Sequence, residues 1–130
     1  MLDTDISSCV IKGSAPKIDA RLSKLDVLQV CISAVTRAEL RFGVRRLPGA
    51  HRLAAEVEKF LQGIHTLPWD ETAADQLADV RVSLERSGTR IGTTDTMIAA
   101  HAKVLGAVLV TYNVKRFRQV KDLVVENWTR

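Results

Sequence analysis

Cysteine is scarce in this sequence, with only Cys9 and Cys31 in 130 residues, and neither stands in a CxxC or Cys/His ligand pattern. That spacing excludes a disulfide framework and a zinc ribbon, and it predicts two small core residues in a reducing compartment. Long hydrophobic runs are also lacking. No apolar stretch approaches the roughly 20 residues that a membrane-spanning helix requires. The opening Met1-Leu2-Asp3-Thr4-Asp5 has neither a basic segment nor an apolar core, so a secretory leader is not expected and a cytoplasmic protein is. Proline is limited to three residues and glycine to seven, and neither clusters, which leaves no flexible linker and no second domain. Internal repeats and low-complexity tracts are absent as well. No serine or cysteine sits in a recognisable nucleophile context, so covalent catalysis has no candidate.

What is present describes an ordinary globular domain spanning residues 1–130: 46% hydrophobic and 26% charged residues, with a net charge of +4. A chain of this length buries about two-thirds of its unfolded surface and can fold without metal or disulfide staples. The positive charge is concentrated. Lys115, Arg116, Arg118 and Lys121 crowd one segment, and Arg37, Arg41, Arg45 and Arg46 another. Either group suits a phosphate-binding rim or a solvated helix face.

Short apolar runs alternate with longer helical patterns. Leu2 leads into Asp3 as the end of a very short first strand. Helices are expected over Ile6 to Lys12, Pro16 to Leu25, a stretch capped by Ser33 or Thr36 that runs to Arg46, His51 to Gly63, a stretch opening at Asp70 or Thr72, and Asp95 to Leu105 behind a Thr93-Thr94 cap. Val30 to Ile32, Val108 to Val110 and Leu123 to Val125 read as buried strands, with Thr66 to Trp69 a brief extended piece. Buried strands separated by helices imply a parallel sheet covered on both faces, an α/β protein whose site lies at the carboxyl ends of the strands.

Three carboxylates stand out against this background. Asp3 follows the first strand. Glu39 shares a helix face with Val35, Phe42 and Gly43, which directs it inward or to the rim of the core. Asp95 opens the apolar helix that continues Met97-Ile98-Ala99-Ala100-His101-Ala102. Each also has a structural explanation: Asp3 as a turn residue, Asp95 as a first-turn acid favoured by the helix dipole, and Glu39 as the partner of Thr36 in a capping box. If the three meet in space, hard divalent cations relieve their repulsion and promote phosphodiester hydrolysis. His101 is expected to be buried and hydrogen-bonded, His51 and His65 exposed, and Trp69 and Trp128 packed at the surface.

Five segments in this order resemble the PIN-domain ribonucleases, and within them the VapC toxins of bacterial toxin–antitoxin pairs. They are Leu2-Asp3-Thr4-Asp5-Ile6, Ile32 to Leu40, Ile91 to Ala102, Leu109 to Phe117, and Leu123 to Trp128. The resemblance implies a three-layer α/β/α sandwich with a short parallel sheet. It also implies Mg²⁺-dependent RNA cleavage, with Mn²⁺ as a substitute, in which Asp3 and Asp95 bind metal and Glu39 completes the trio. A fourth position, Asp or Asn in the family, is Asn113 here, with the Thr111 hydroxyl beside it. Further implications are a homodimer and a cognate VapB-like antitoxin, for which Ile6, Ile11, Ile18 and Leu22 offer apolar surface unless the core uses them.

Two departures from the family pattern are visible. Asp5 replaces the usual Asn, and it is expected to cap the first helix or add to the metal's attraction. Only Met1 and Leu2 precede Asp3, so the strand is short or the natural start differs. Competing readings are a PIN fold that binds RNA or a partner without cutting, against which the retained acids argue, and a phosphatase of the haloacid dehalogenase type. Asp3-Thr4-Asp5-Ile6-Ser7 matches the opening of the latter, but a hydrophobic strand before it, a fitting lysine and a late acidic pair are missing.

Overall fold

In the computed structural model, which describes residues 1–130, four short parallel strands and the N-terminal segment form the centre of the molecule. The strands are β1 (Cys31–Ser33), β2 (His65–Leu67), β3 (Leu109–Val110) and β4 (Val125–Glu126). β1 pairs with β2 and β3 with β4, while Leu2 bridges Ile32 on one side and Val110 on the other. The spatial order is therefore β2, β1, the N-terminal segment, β3, β4. Backbone bonds from Leu2 N to Cys31 O (2.9 Å) and from Asp3 N to Val110 O (3.1 Å) hold Met1 to Asp3 as a minimal central strand.

Seven helices cover this sheet: α1 (Thr4–Ile11), α2 (Pro16–Leu22), α3 (Ala34–Arg45), α4 (His51–Gly63), α5 (Glu71–Arg86), α6 (Thr93–Val104) and α7 (Val114–Phe117). Alternation along the strands divides the core between the two faces. Met1 and Leu109 pack with Val80, Leu84, Ile98 and Phe117 from α5, α6 and α7. Leu2, Ile32 and Val110 pack with Ile6, Ile18, Leu40, Val57 and Leu61 from α1 to α4. Ala99, Ala100 and Ala102 are fully buried, and their small side chains let α6 sit close to the sheet. This is the expected α/β/α sandwich.

The element boundaries carry local corrections. Asp3 is the N-cap of α1, its Oδ1 accepting from Ile6 N at 2.9 Å, so the helix starts at Thr4 rather than Ile6. Asp5 is thereby displaced from the expected capping role and stands exposed in the first turn. Helix α2 ends at Leu22, where the Ser23 hydroxyl bonds the Ala20 carbonyl instead of letting the helix run on to Leu25. Gly92, not Thr93 or Thr94, occupies the N-cap of α6, and both threonines lie in its first turn. Ser33 caps α3, its hydroxyl accepting from Val35 N, which places Thr36 inside the helix and removes the capping-box role for Glu39. Helix α4 matches its expected span.

Candidate active site

At the carboxyl end of the sheet the chain turns directly from strand to helix at Asp3 and at Ser33, and it leaves β3 at Thr111. Those turns bring residues far apart in sequence to one edge. Asp3 is 3% exposed, the most enclosed acid of the site. Its Oδ1 is committed to the helix cap, and the buried Thr111 hydroxyl hydrogen-bonds the same carboxyl group. Burial pushes the Asp3 carboxyl up to about 6, against the pull of Thr111 and the Ile6 N–H, and the charges of Asp5 and Asp95 push it the same way.

Asp95 is half-buried in the first turn of α6. Desolvation raises its carboxyl, and Asp5 and Glu39 raise it further, while Arg116 of α7 opposes them from 3.7 Å. Glu39 lies at the rim on α3, where its Oε1 accepts from the Thr4 hydroxyl at 2.6 Å. Thr4 Oγ1 also lies 3.2 Å from the buried Thr36 hydroxyl. Asp3, Asp5, Glu39 and Asp95 therefore share one electrostatic field with Arg116 as its nearest cation. Burial and the neighbouring acids disfavour the ionised forms of Asp3 and Asp95.

The structure brings Asp3, Glu39 and Asp95 to the same edge and treats Asn113 differently. Asn113 stands exposed at the N-cap of α7, and its backbone N–H, not its side chain, reaches inward to Thr111 Oγ1 at 3.0 Å. It lines a neighbouring cleft with Tyr112 and Lys115. Of the two placements expected for Glu39, inward or at the rim, the structure shows the rim: its neighbour Phe42 is 64% exposed with Arg46 over its ring at 5.5 Å.

The Thr4–Glu39 hydrogen bond and the Arg116–Asp95 pair went unrecognised in the sequence. A hydroxyl directly after the first-strand acid was the available signal for Thr4; Arg116 had none beyond its place in a basic run. His101 is buried as expected, with Nδ1 2.8 Å from Ser33 Oγ and the Pro68 carbonyl as a second hydrogen-bond partner. Burial lowers its imidazole, which keeps it neutral. It ties α6, which carries Asp95, to the cap of α3, which carries Glu39.

No three His, Cys, Asp or Glu side chains converge closely enough to enclose an ion by themselves. The donor set nevertheless suits a hard cation. Its ligands are carboxylate and hydroxyl oxygens, its acids are destabilised by each other and by burial, and Mg²⁺ commonly takes one or two protein carboxylates while keeping several waters.

Comparison with known proteins bears on this geometry. Residues 1–123 match the PIN domain family model. The tRNA(fMet)-specific endonuclease VapC of Shigella flexneri is 36% identical over 129 residues, covering 99% of this chain and 97% of the relative. The chain superposes on the crystal structure of DNA-bound VapBC from Salmonella typhimurium with a TM-score of 0.92 at 35% identity, covering 98% and 96% of the two chains. It superposes on VapBC2 from Rickettsia felis, bound to a promoter DNA fragment, with a TM-score of 0.91 at 29% identity, covering 98% and 97%.

Proposed function

The chain belongs to the PIN-domain family, and we propose that it is a metal-dependent endoribonuclease, the toxin of a toxin–antitoxin pair. The observation that carries this reading is the enclosure of Asp3 beside Asp95 and Glu39 at the carboxyl end of a parallel sheet, where open α/β sheets place their chemistry. A phosphatase reading of Asp3 and Asp5 is set aside by the family match and by the position of Asp5, which lies exposed in α1.

Asp3 and Asp95 would hold Mg²⁺, or Mn²⁺ in its place. Such an ion, when bound, supplies the positive charge that lowers the pKa of water and offsets charge gathering on a phosphodiester. The protein's own groups set the stage for that chemistry. Asp3 is locked by the cap to Ile6 and by Thr111, so its carboxyl group has little freedom to reorient. Glu39, steadied by Thr4, faces the same edge and can orient a water or accept its proton. Arg116 moderates the charge on Asp95. Hydrolysis in this arrangement leaves a 5′-phosphate and a 3′-hydroxyl.

The similar proteins are solved as VapBC complexes, which supports a cognate antitoxin as the partner of this chain. Of the four residues considered for that contact, Ile6 and Ile18 are core, whereas Ile11 and Leu22 line an open apolar cleft with Val10, Leu25, Val27 and Phe60. A homodimer acting in the cytoplasm is part of the same proposal. No helix is long and apolar enough to cross a membrane.

The test is cleavage of a mixed RNA pool by the purified protein, with ends mapped by ligation-dependent sequencing. Mg²⁺-dependent cuts bearing 5′-phosphates support the reading. EDTA-resistant cleavage, or full activity in folded Asp95→Asn, overturns it.

A further inference from the structure

Beside the acidic edge lies a second cleft of about 730 Å³, lined mainly by polar and cationic side chains. Its walls come from three separate stretches: Arg21 on α2, Tyr112 to Arg118 around α7, and the segment after β4. Glu126 is the acid in the lining, and it is occupied by Trp128 Nε1 at 2.7 Å and by Arg21 at 4.0 Å. Lys115 and Arg118 make no ion pair and stand exposed. In the other basic segment three of the four arginines are engaged: Arg37 donates to Thr66 Oγ1, Arg41 pairs with Glu58, and Arg46 lies over Phe42, leaving Arg45 exposed.

Helix α7 connects this cleft to the acidic site. Arg116 points to Asp95, while its neighbours Lys115 and Arg118 line the cleft. Tyr112 stands between the two. Its hydroxyl donates to Cys9 Sγ at 3.1 Å, the residue is 42% exposed, and the charges of Asp3 and Asp5 reach it. An exposed ring followed by unpaired cations is the pattern that holds single-stranded nucleic acid, bases on the aromatic face and phosphates on the cations.

Resting on the nuclease reading, we infer that this cleft is a strand-binding subsite, in which Lys115 and Arg118 hold RNA phosphates leading away from the cut and Tyr112 stacks on a base. Asn113, exposed at the N-cap of α7, lines the same cleft.

The experiment measures binding of a fluorescein-labelled single-stranded oligoribonucleotide by anisotropy, from 50 to 300 mM KCl. All proteins carry Asp95→Asn so that the RNA stays whole. The test variant adds Lys115→Ala and Arg118→Ala; a charge-matched control adds Arg52→Ala and Arg86→Ala, both exposed and outside this cleft. The inference expects the test variant to bind at least tenfold more weakly than the control. It also expects a salt slope shallower by about 1.4, since each lost phosphate contact on a single strand removes about 0.7. Tyr112→Ala should weaken binding with no change in slope. Equal affinity and slope for test variant and control overturn the inference, as does a loss confined to an acidic peptide probe, which would assign the cleft to a protein partner. The nuclease reading is judged separately by cleavage with the unsubstituted protein: RNA left uncut refutes that reading, whereas normal cutting with unchanged binding refutes only the subsite.

Discussion

Replacing Asp3 by asparagine should stabilise this protein while abolishing its activity. Asp3 is almost wholly enclosed, and burial lifts its carboxyl from 3.8 to about 6. At about 1.4 kcal/mol per pK unit, keeping it ionised costs the fold about 3 kcal/mol. The sign follows from linkage. The folded chain holds the proton more tightly than the unfolded one, so this part of the stability is complete below about pH 4. It declines between pH 4 and 6 and is gone above that. Asparagine caps a helix as well as aspartate does, so the bond from Ile6 N survives the change. In EDTA at pH 8, Asp3→Asn should therefore be more stable by up to about 3 kcal/mol, a rise in Tm on the order of 10 °C for a domain of this size. At pH 4 the two proteins should nearly coincide. Urea unfolding followed by far-ultraviolet circular dichroism at both pH values measures the double difference. Saturating Mg²⁺ should raise the stability of the unsubstituted protein and narrow the gap. A variant no more stable than its parent at pH 8 would show that the Asp3 charge is already compensated, and the case for a cation at this site would fail with it.

Further outcomes follow from the surrounding contacts. Thr4→Val removes the hydroxyl that steadies Glu39 and should lower RNA cleavage about tenfold, and it should also cost about 1.5–3 kcal/mol in urea unfolding, the usual worth of a hydrogen bond to a charged group. Arg116→Ala removes the cation that opposes the raised Asp95 carboxyl, so the acid limb of the pH–activity profile should move to higher pH; an unmoved limb would show that the pair does not act on Asp95. Ser33→Ala deletes the α3 cap and the partner of His101 together, and should cost about 2–4 kcal/mol in urea unfolding. A loss under 1 kcal/mol would mean that His101 finds another partner.

Much of this architecture was legible because it is written in local chemistry. The span of α4 follows from its periodic Leu53, Val57, Phe60 and Leu61, and the alternation of buried strands with helices is enough for a covered parallel sheet. What escaped depends on which of several competent residues wins a place. Asp3 and Asp5 are both good N-caps, and only the strand pairing of Leu2 decides for Asp3. Phe42 shares a helix face with Glu39, yet its ring lies on the surface, a position that helical periodicity alone does not assign. Asn113 was singled out by resemblance alone, and no local pattern reveals that its backbone N–H would bond Thr111 Oγ1 or that it would line the neighbouring cleft. The meeting of Asp3 and Asp95 depends on crossovers that no local pattern encodes; resemblance along the whole chain suggested it, and the folded structure places the two at one edge.

The central claim is that the acids at the carboxyl end of the sheet form a single cation site required for RNA cleavage. The most direct measurement is titration of Mn²⁺ monitored by electron paramagnetic resonance, with cleavage of end-labelled RNA followed in the same samples. The unsubstituted protein should bind Mn²⁺ and gain activity in parallel with occupancy, and folded Asp3→Asn and Asp95→Asn should lose both together. Mn²⁺ binding and cleavage that persist in either variant would contradict the account.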